Sequence, residues 1–261
     1  MIDDIQAEMG KLFTSRKLEL FSMQLNIADM ATWAEGIANK QKIDRHEFQN
    51  AIKELFWALG SIQLNLGHTL IAMKECSFPG GTQGVALREK EIPDVNLADL
   101  HFWHHLYNCY EAIYRFWERC VTVLKMRLTP RVKEKYYFDG YVNYVLTIGE
   151  LSSLKEIVLL RKYLKCWGKI AWKRNEISHG RSNPILNMNI DIEFSKLSDF
   201  LGKPIAKYKY ELPNLKQETE TVINYYKNSF ELLYSIKSVC DLAVKPNKEI
   251  QPGRPPMPAA C

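Results

Sequence analysis

The chain has 261 residues, 46% hydrophobic and 25% charged, with 35 Lys and Arg against 30 Asp and Glu, a net charge of +5 and a pI ≈ 8.7. This composition supports a folded core and argues against a disordered or strongly acidic chain. No apolar run approaches the ~18 residues a membrane helix needs, and mild basicity permits a nucleic-acid partner without demanding one. The six cysteines (Cys76, Cys109, Cys120, Cys166, Cys240, Cys261) form no C-x-x-C pair. They read as reduced thiols of a cytoplasmic protein. The acidic start, Met1-Ile2-Asp3-Asp4, has no following apolar run, so no signal peptide is expected.

Residues 4–39 read as one long helix or two broken ones, with Leu12, Leu18, Phe21, Leu25, Ala28 and Trp33 as a stripe and Gly36 and Asn39 near the end. Asp44 is placed to cap a second helix, with Glu47 three residues on. That helix runs to about residue 75, and Phe48, Ile52, Leu55, Leu59, Ile62 and Leu66 form its apolar face. Residues 76–96 hold a Gly/Pro-rich loop, Phe78-Pro79-Gly80-Gly81, with no Gly-Lys-Ser/Thr to make it a phosphate loop. A third helix, from about Asn96 to Leu128, is aromatic (Phe102, Trp103, Tyr107, Tyr110, Tyr114, Phe116, Trp117). It carries His101, His104 and His105 at i, i+3 and i+4. One helical face therefore holds all three, for a metal ion or for surface polar contacts. Glu111 either pairs with Arg115 one turn on or reaches a site from a facing helix.

Thr129-Pro130 stops this helix. Residues 125–135 hold Lys125, Arg127, Arg131, Lys133 and Lys135 against the single acid Glu134, followed by Tyr136, Tyr137 and Phe138, either a single-strand nucleic-acid surface or a solvated connection with tucked aromatics. A short helical stretch runs to about residue 149, and Ser152 or Ser153 is expected to cap the next helix. Leu160, Leu164, Trp167 and Ala171 form its apolar stripe, and the series continues onto Arg174 and Ser178. Lys162, Lys165, Lys169 and Lys173 recur at 3, 4 and 4 spacing. With Arg181 beyond the helix they make either a solvated face or a polyanion track. Residues 182–212 lack a sustained period, with a partly alternating stretch from Ile185 to Phe194 that suits a short strand or extended insertion. Pro213 opens a last helix to about Ala243, with Val222, Tyr225, Tyr226, Phe230, Leu233, Ile236 and Cys240 facing inward. The expected fold is all-α: an antiparallel bundle of four to six helices in one domain, residues 1–245. A proline-rich tail, 246–261, follows it.

An arginine where the pattern asks for a core residue needs a partner or water, because its charge cannot be shed. His179 follows Arg174 by five residues, roughly 7.5 Å along a helix axis, and Gly180 suits a helix stop. One group can hold a phosphate there while the other moves a proton. Arg174-Asn175-Glu176-Ile177-Ser178-His179 resembles the Arg-x4-His signature of the HEPN superfamily, with Asn175 at the polar position after the arginine. The chain departs from the toxin-type pattern His-x-Tyr, reading His179-Gly180-Arg181.

The resemblance implies a helical homodimer with paired Arg/His sites at its interface and RNA as substrate or ligand. It implies metal-independent cleavage that leaves a 2′,3′-cyclic phosphate, with no cofactor. Arg174 would hold the scissile phosphate, His179 would act in acid/base chemistry, and Asn175 would orient an oxygen, with Glu111 in support. A regulatory protein partner is compatible with it. The rival reading is a non-catalytic interaction module in which Arg174 ties elements together through a carboxylate; a third is a metal- or ligand-binding bundle around the histidines. A closed ion pair on Arg174 in the dimer favours the module, and a cleft with no carboxylate on Arg174 favours the nuclease.

Overall fold

In the computed structural model the described residues are 2–20, 31–39, 43–76, 97–130, 132–178 and 214–242. His179, Gly180, Arg181, Arg131, the glycine loop, the 182–212 insertion and the proline-rich tail lie outside them. The fold is an all-α helical bundle with several long helices, and no strand occurs among the described residues. The helices are α1 (Ile2–Ser15), α2 (31–39), α3 (Arg45–Ala72), α4 (Leu97–Leu128), α5 (Phe138–Val145), α6 (Gly149–Ser152), α7 (Lys155–Leu159), α8 (Leu164–Ser178) and α9 (Leu215–Asp241). A 3₁₀ turn, Leu160–Tyr163, joins α7 to α8 without a break. No helix among the described residues is long and apolar enough to cross a membrane.

The chain divides into two compact units. One comprises Met1–Leu20, Ile62–Glu111 and Trp172–Tyr226; the other comprises Phe21–Ser61, Ala112–Ala171 and Lys227–Cys261. In the first, Phe13, Ile62, Leu66, Phe102, Leu106, Tyr110, Val222 and Tyr226 are buried. Phe13 meets Tyr226 edge-on at 5.7 Å. Helix α1 ends in a Schellman turn: the N–H of Leu18 donates to the carbonyl of Phe13 at 2.9 Å, and Lys17 takes φ 53°. A lysine tolerates this left-handed position less well than glycine does, and the buried Leu18 beyond it anchors the turn. Gly67 in α3 faces the side chain of Met9 so closely that any Cβ would collide with it. The Met9 side chain, rather than the α1 backbone, fills the space that the missing side chain leaves.

In the second unit the core is aromatic. Trp117 meets Phe138 at 4.9 Å and Tyr163 at 6.0 Å, and Tyr114 stacks on Trp167 at 5.0 Å. Both buried indoles satisfy their N–H groups, Trp117 on Ser229 at 3.0 Å and Trp167 on Asp139 at 3.1 Å.

The apolar faces expected for α3 and α9 are buried throughout. Asp44 caps α3 as expected, accepting from the Glu47 N–H at 2.8 Å, and Asn214 does the same for α9 from Gln217 at 3.0 Å. Two local expectations fail. Ser152 and Ser153 do not cap α7, whose N-cap is Leu154. Their hydroxyls donate back to the carbonyls of Gly149 and Glu150 instead. The buried stripe entering α8 is Leu160, Tyr163, Trp167 and Ile170, with Leu164 and Ala171 only half-buried. The 3₁₀ turn advances the chain faster per residue than an α-helix and shifts the stripe by about one position.

Candidate functional site

The stripe shift decides what happens at the end of α8. After Ile170 the inward positions fall on Lys173 and Arg174 together, so two cations enter the first unit where apolar residues end. Both are met by carboxylates. Arg174 Nε donates to Glu111 Oε2 of α4 at 3.3 Å, and its Nη1 donates to the Asn175 side-chain oxygen at 3.4 Å. Lys173 Nζ lies 3.2 Å from Glu218 Oε1 of α9 and 3.3 Å from Glu176 Oε2. The other oxygen of Glu218 accepts from the Tyr110 hydroxyl at 2.8 Å. Lys173 also sits over the Tyr110 ring, 5.8 Å from its centroid. Burial, followed by the Glu218 charge, raises the Tyr110 pKa, so its hydroxyl stays protonated and donating.

The two halves of this network differ in exposure. The Lys173 side chain is 19% exposed and Glu218 24%, whereas Arg174 and Glu111 are both 34% exposed. Lys173 is thus committed to the interior network and does not lie on the solvated track with the other lysines. Lys165 and Lys169 are exposed, and Lys162, also exposed, pairs with Glu231 at 3.3 Å. Asn175 is exposed beside Arg174. Of the expected catalytic group, Arg174, Asn175 and Glu111 are brought together. His179 and Arg181 lie outside the described residues.

The histidines are joined by one that spacing along α4 could not reveal. His68 of α3 stacks on His105 with centroids 4.6 Å apart and planes at 17°. His101 and His104 approach His105 edge-on, at 6.2 and 5.2 Å. Ring lone pairs lie in the ring plane, so stacked imidazoles do not converge on one ion. Among the described residues no group of three or more His, Cys, Asp or Glu is placed to hold a metal. His105 Nδ1 lies 3.1 Å from the Asn65 side-chain oxygen, which selects the tautomer with the proton on Nδ1. Burial, then the neighbouring His68, His104 and His101, lowers the His105 pKa to about 4, and burial lowers that of His68.

In the second unit, the segment expected to hold cations followed by rings borders a groove of ≈ 830 Å³ lined by Glu118, Lys125, Glu134, Lys135, Tyr136 and Tyr137 among others. Lys125 donates to the Glu134 carbonyl at 2.9 Å, and Tyr136 stacks on Tyr144 at 5.3 Å, so both are engaged within the fold. Tyr137, 63% exposed, presents its ring to solvent here, and Tyr136 is half-buried. Arg127 departs furthest from the sequence reading. It is fully buried and donates from Nε to the Cys240 carbonyl at 3.0 Å and from Nη2 to that of Leu242, closing the C-terminal end of α9. The signal was available: Ile113, Trp117, Cys120, Leu124 and Arg127 recur at 4, 3, 4 and 3, placing an arginine in a regular apolar stripe.

The five described cysteines are free thiols, and burial raises their pKa values, to about 12 for Cys76 and Cys240 and about 11 for Cys166. None is poised as a nucleophile at neutral pH. Compared with models of known families, with curated proteins and with solved structures, the chain matches none.

Proposed function

We propose that the chain is a HEPN-like protein acting on RNA as a homodimer, a metal-independent endonuclease centred on Arg174 and His179. The observation that carries this reading is the solvent access that Arg174 keeps although Glu111 pairs with it, a pairing that by itself speaks for an interaction module. A carboxylate from a separate helix grips the arginine through Nε while a third of its side chain stays accessible. A pair this exposed is worth about 0–1 kcal/mol, so a phosphate that makes charge-assisted contacts can compete for the guanidinium. Glu111 then positions Arg174, and Asn175 stands beside it to orient a phosphoryl oxygen. In the proposed reaction a ribose 2′-hydroxyl attacks the adjacent phosphate. His179 moves the proton, its ordinary pKa near neutrality suiting either direction. Arg174 stabilises charge developing on the phosphoryl oxygens.

The same pair favours a second reading, a non-catalytic interaction module in which Glu111 and Arg174 simply tie α4 to α8. One experiment separates them: cleavage of end-labelled single-stranded and structured RNA in EDTA by the wild type, His179→Ala and Arg174→Ala. The nuclease reading expects cyclic-phosphate ends from the wild type and a loss of about 10²-fold or more in either variant. Intact RNA in all three, with a smaller oligomer for Arg174→Ala in light scattering, would leave the interaction module.

A further inference from the structure

We propose that the solvent face of α8 carries a stacking site for an unpaired RNA base, with the Trp172 indole as its platform; this rests on the reading of the chain as acting on RNA. Trp172 is 66% exposed; Trp57 of α3 is also exposed, at 70%, but Trp172 stands on the helix that carries Lys165 and Lys169, and Trp103, Trp117 and Trp167 are at most 4% exposed. The exposure of Trp172 follows from helix register. The buried series Tyr163, Trp167, Ile170 leaves position 172 on the outward side, so no small rotation of the helix would return it to the core.

The residues around it on α8 suit a ligand. One turn earlier stands Gly168, where an added Cβ would meet nothing within 4 Å. A helical side chain leans toward the turn preceding its own Cα. Trp172 therefore leans toward bare backbone, with no side chain at i−4 to cover its ring. Packing does not call for glycine at this position, and glycine weakens a helix interior. An open shelf beside the indole does call for it. Lys169 at i−3 and Asn175 at i+3 are both exposed, and Lys165 continues the same face. Lys165 and Lys169 are exposed on this face, whereas Lys173 and Arg174 meet carboxylates. From Leu164 to Ser178 the helix carries Lys165, Lys169, Lys173 and Arg174 against the single acid Glu176.

Cations beside an open ring are the chemistry of single-strand binding: phosphates on the cations, a base face on the ring, with little dependence on base identity. A duplex buries its base faces in its own stack and offers this site only phosphates. The substrate class is thus single-stranded RNA or the looped part of a fold, with Trp172 a binding residue on the outward face of α8, the face opposite Arg174.

The test is fluorescence anisotropy with a short, unstructured, dye-labelled RNA and its duplex, in EDTA. The His179→Ala protein serves as parent so that binding is read without cleavage. Trp172→Ala is expected to weaken single-strand binding about tenfold and duplex binding far less, with Trp172→Phe within about threefold of the parent. Equal affinity for parent and Trp172→Ala would overturn the stacking site while leaving the nuclease reading to its own cleavage test. A Phe variant as weak as the Ala variant would also overturn it. So would a change of mass in light scattering for Trp172→Ala, which would assign the ring to a protein contact. A parent that binds no RNA removes this site and the RNA reading together.

Discussion

Two arginines interrupt apolar stripes in this chain, and their surroundings give them opposite roles. Arg174 has a carboxylate partner and keeps about a third of its side chain in solvent. Arg127 has neither comparable access nor freedom: its fork is spent on the last carbonyls of α9, where the helix dipole is negative. Arg127→Lys keeps the charge but not the fork and is expected to cost about 2 kcal/mol, and Arg127→Ala about 3 kcal/mol, in urea denaturation. Arg174→Ala, removing a pair open to water, should move the same midpoint by about 1 kcal/mol or less. His105 sets a further residue-scale expectation. Its pKa falls from 6.5 toward about 4 in the fold, so the folded chain holds it neutral while the unfolded chain protonates it. Its contribution to stability is fully present above pH 6.5 and is lost as pH falls through about 4. In His105→Gln the fall in Tm across that window should be shallower than in the wild type. Parallel Tm–pH curves would mean that the stacked histidines are not coupled to folding.

At the scale of elements, α8 combines two designs in one helix. Its first turns are held by Tyr163, Trp167 and Ile170, and its last by ion pairs. Apolar burial fixes position without specifying direction, whereas the Lys173–Glu218–Tyr110 network sets the rotation of the final turn and hence where Arg174 points. Gly168 tests whether this helix is tuned for stability. Nothing obstructs a Cβ there and its backbone is ordinary helix, so Gly168→Ala should raise stability by about 1 kcal/mol, measured by thermal or urea unfolding. A destabilised Gly168→Ala protein would instead point to a packing role for the glycine.

At the scale of the whole molecule, a net charge of +5 spread over 35 basic and 30 acidic residues is too small to bind polyanions by itself. Electrostatic binding therefore depends on where unpaired cations lie. If RNA phosphates sit on Lys165 and Lys169, log K should fall linearly with log salt, and the Lys165→Ala/Lys169→Ala double variant should flatten that slope by about 1.4, or 0.7 per phosphate contact. An unchanged slope would place the phosphates elsewhere.

Much of the fold was legible in the sequence because helix register and capping are local. The α3 and α9 faces, the Asp44 cap and the ends of α4 all follow from spacing within one segment. That Arg174 and Asn175 stand together at the end of α8 was legible for the same reason. What lies across segments was not. A charged residue in the sequence carries no mark of its partner. The commitment of Lys173 to Glu218, the choice of Glu111 for Arg174, the burial of Arg127 under α9 and the stacking of His68 on His105 appear only once helices distant in the chain lie side by side. A period of 3.6 residues states which face a side chain takes, and tertiary packing decides what that face meets.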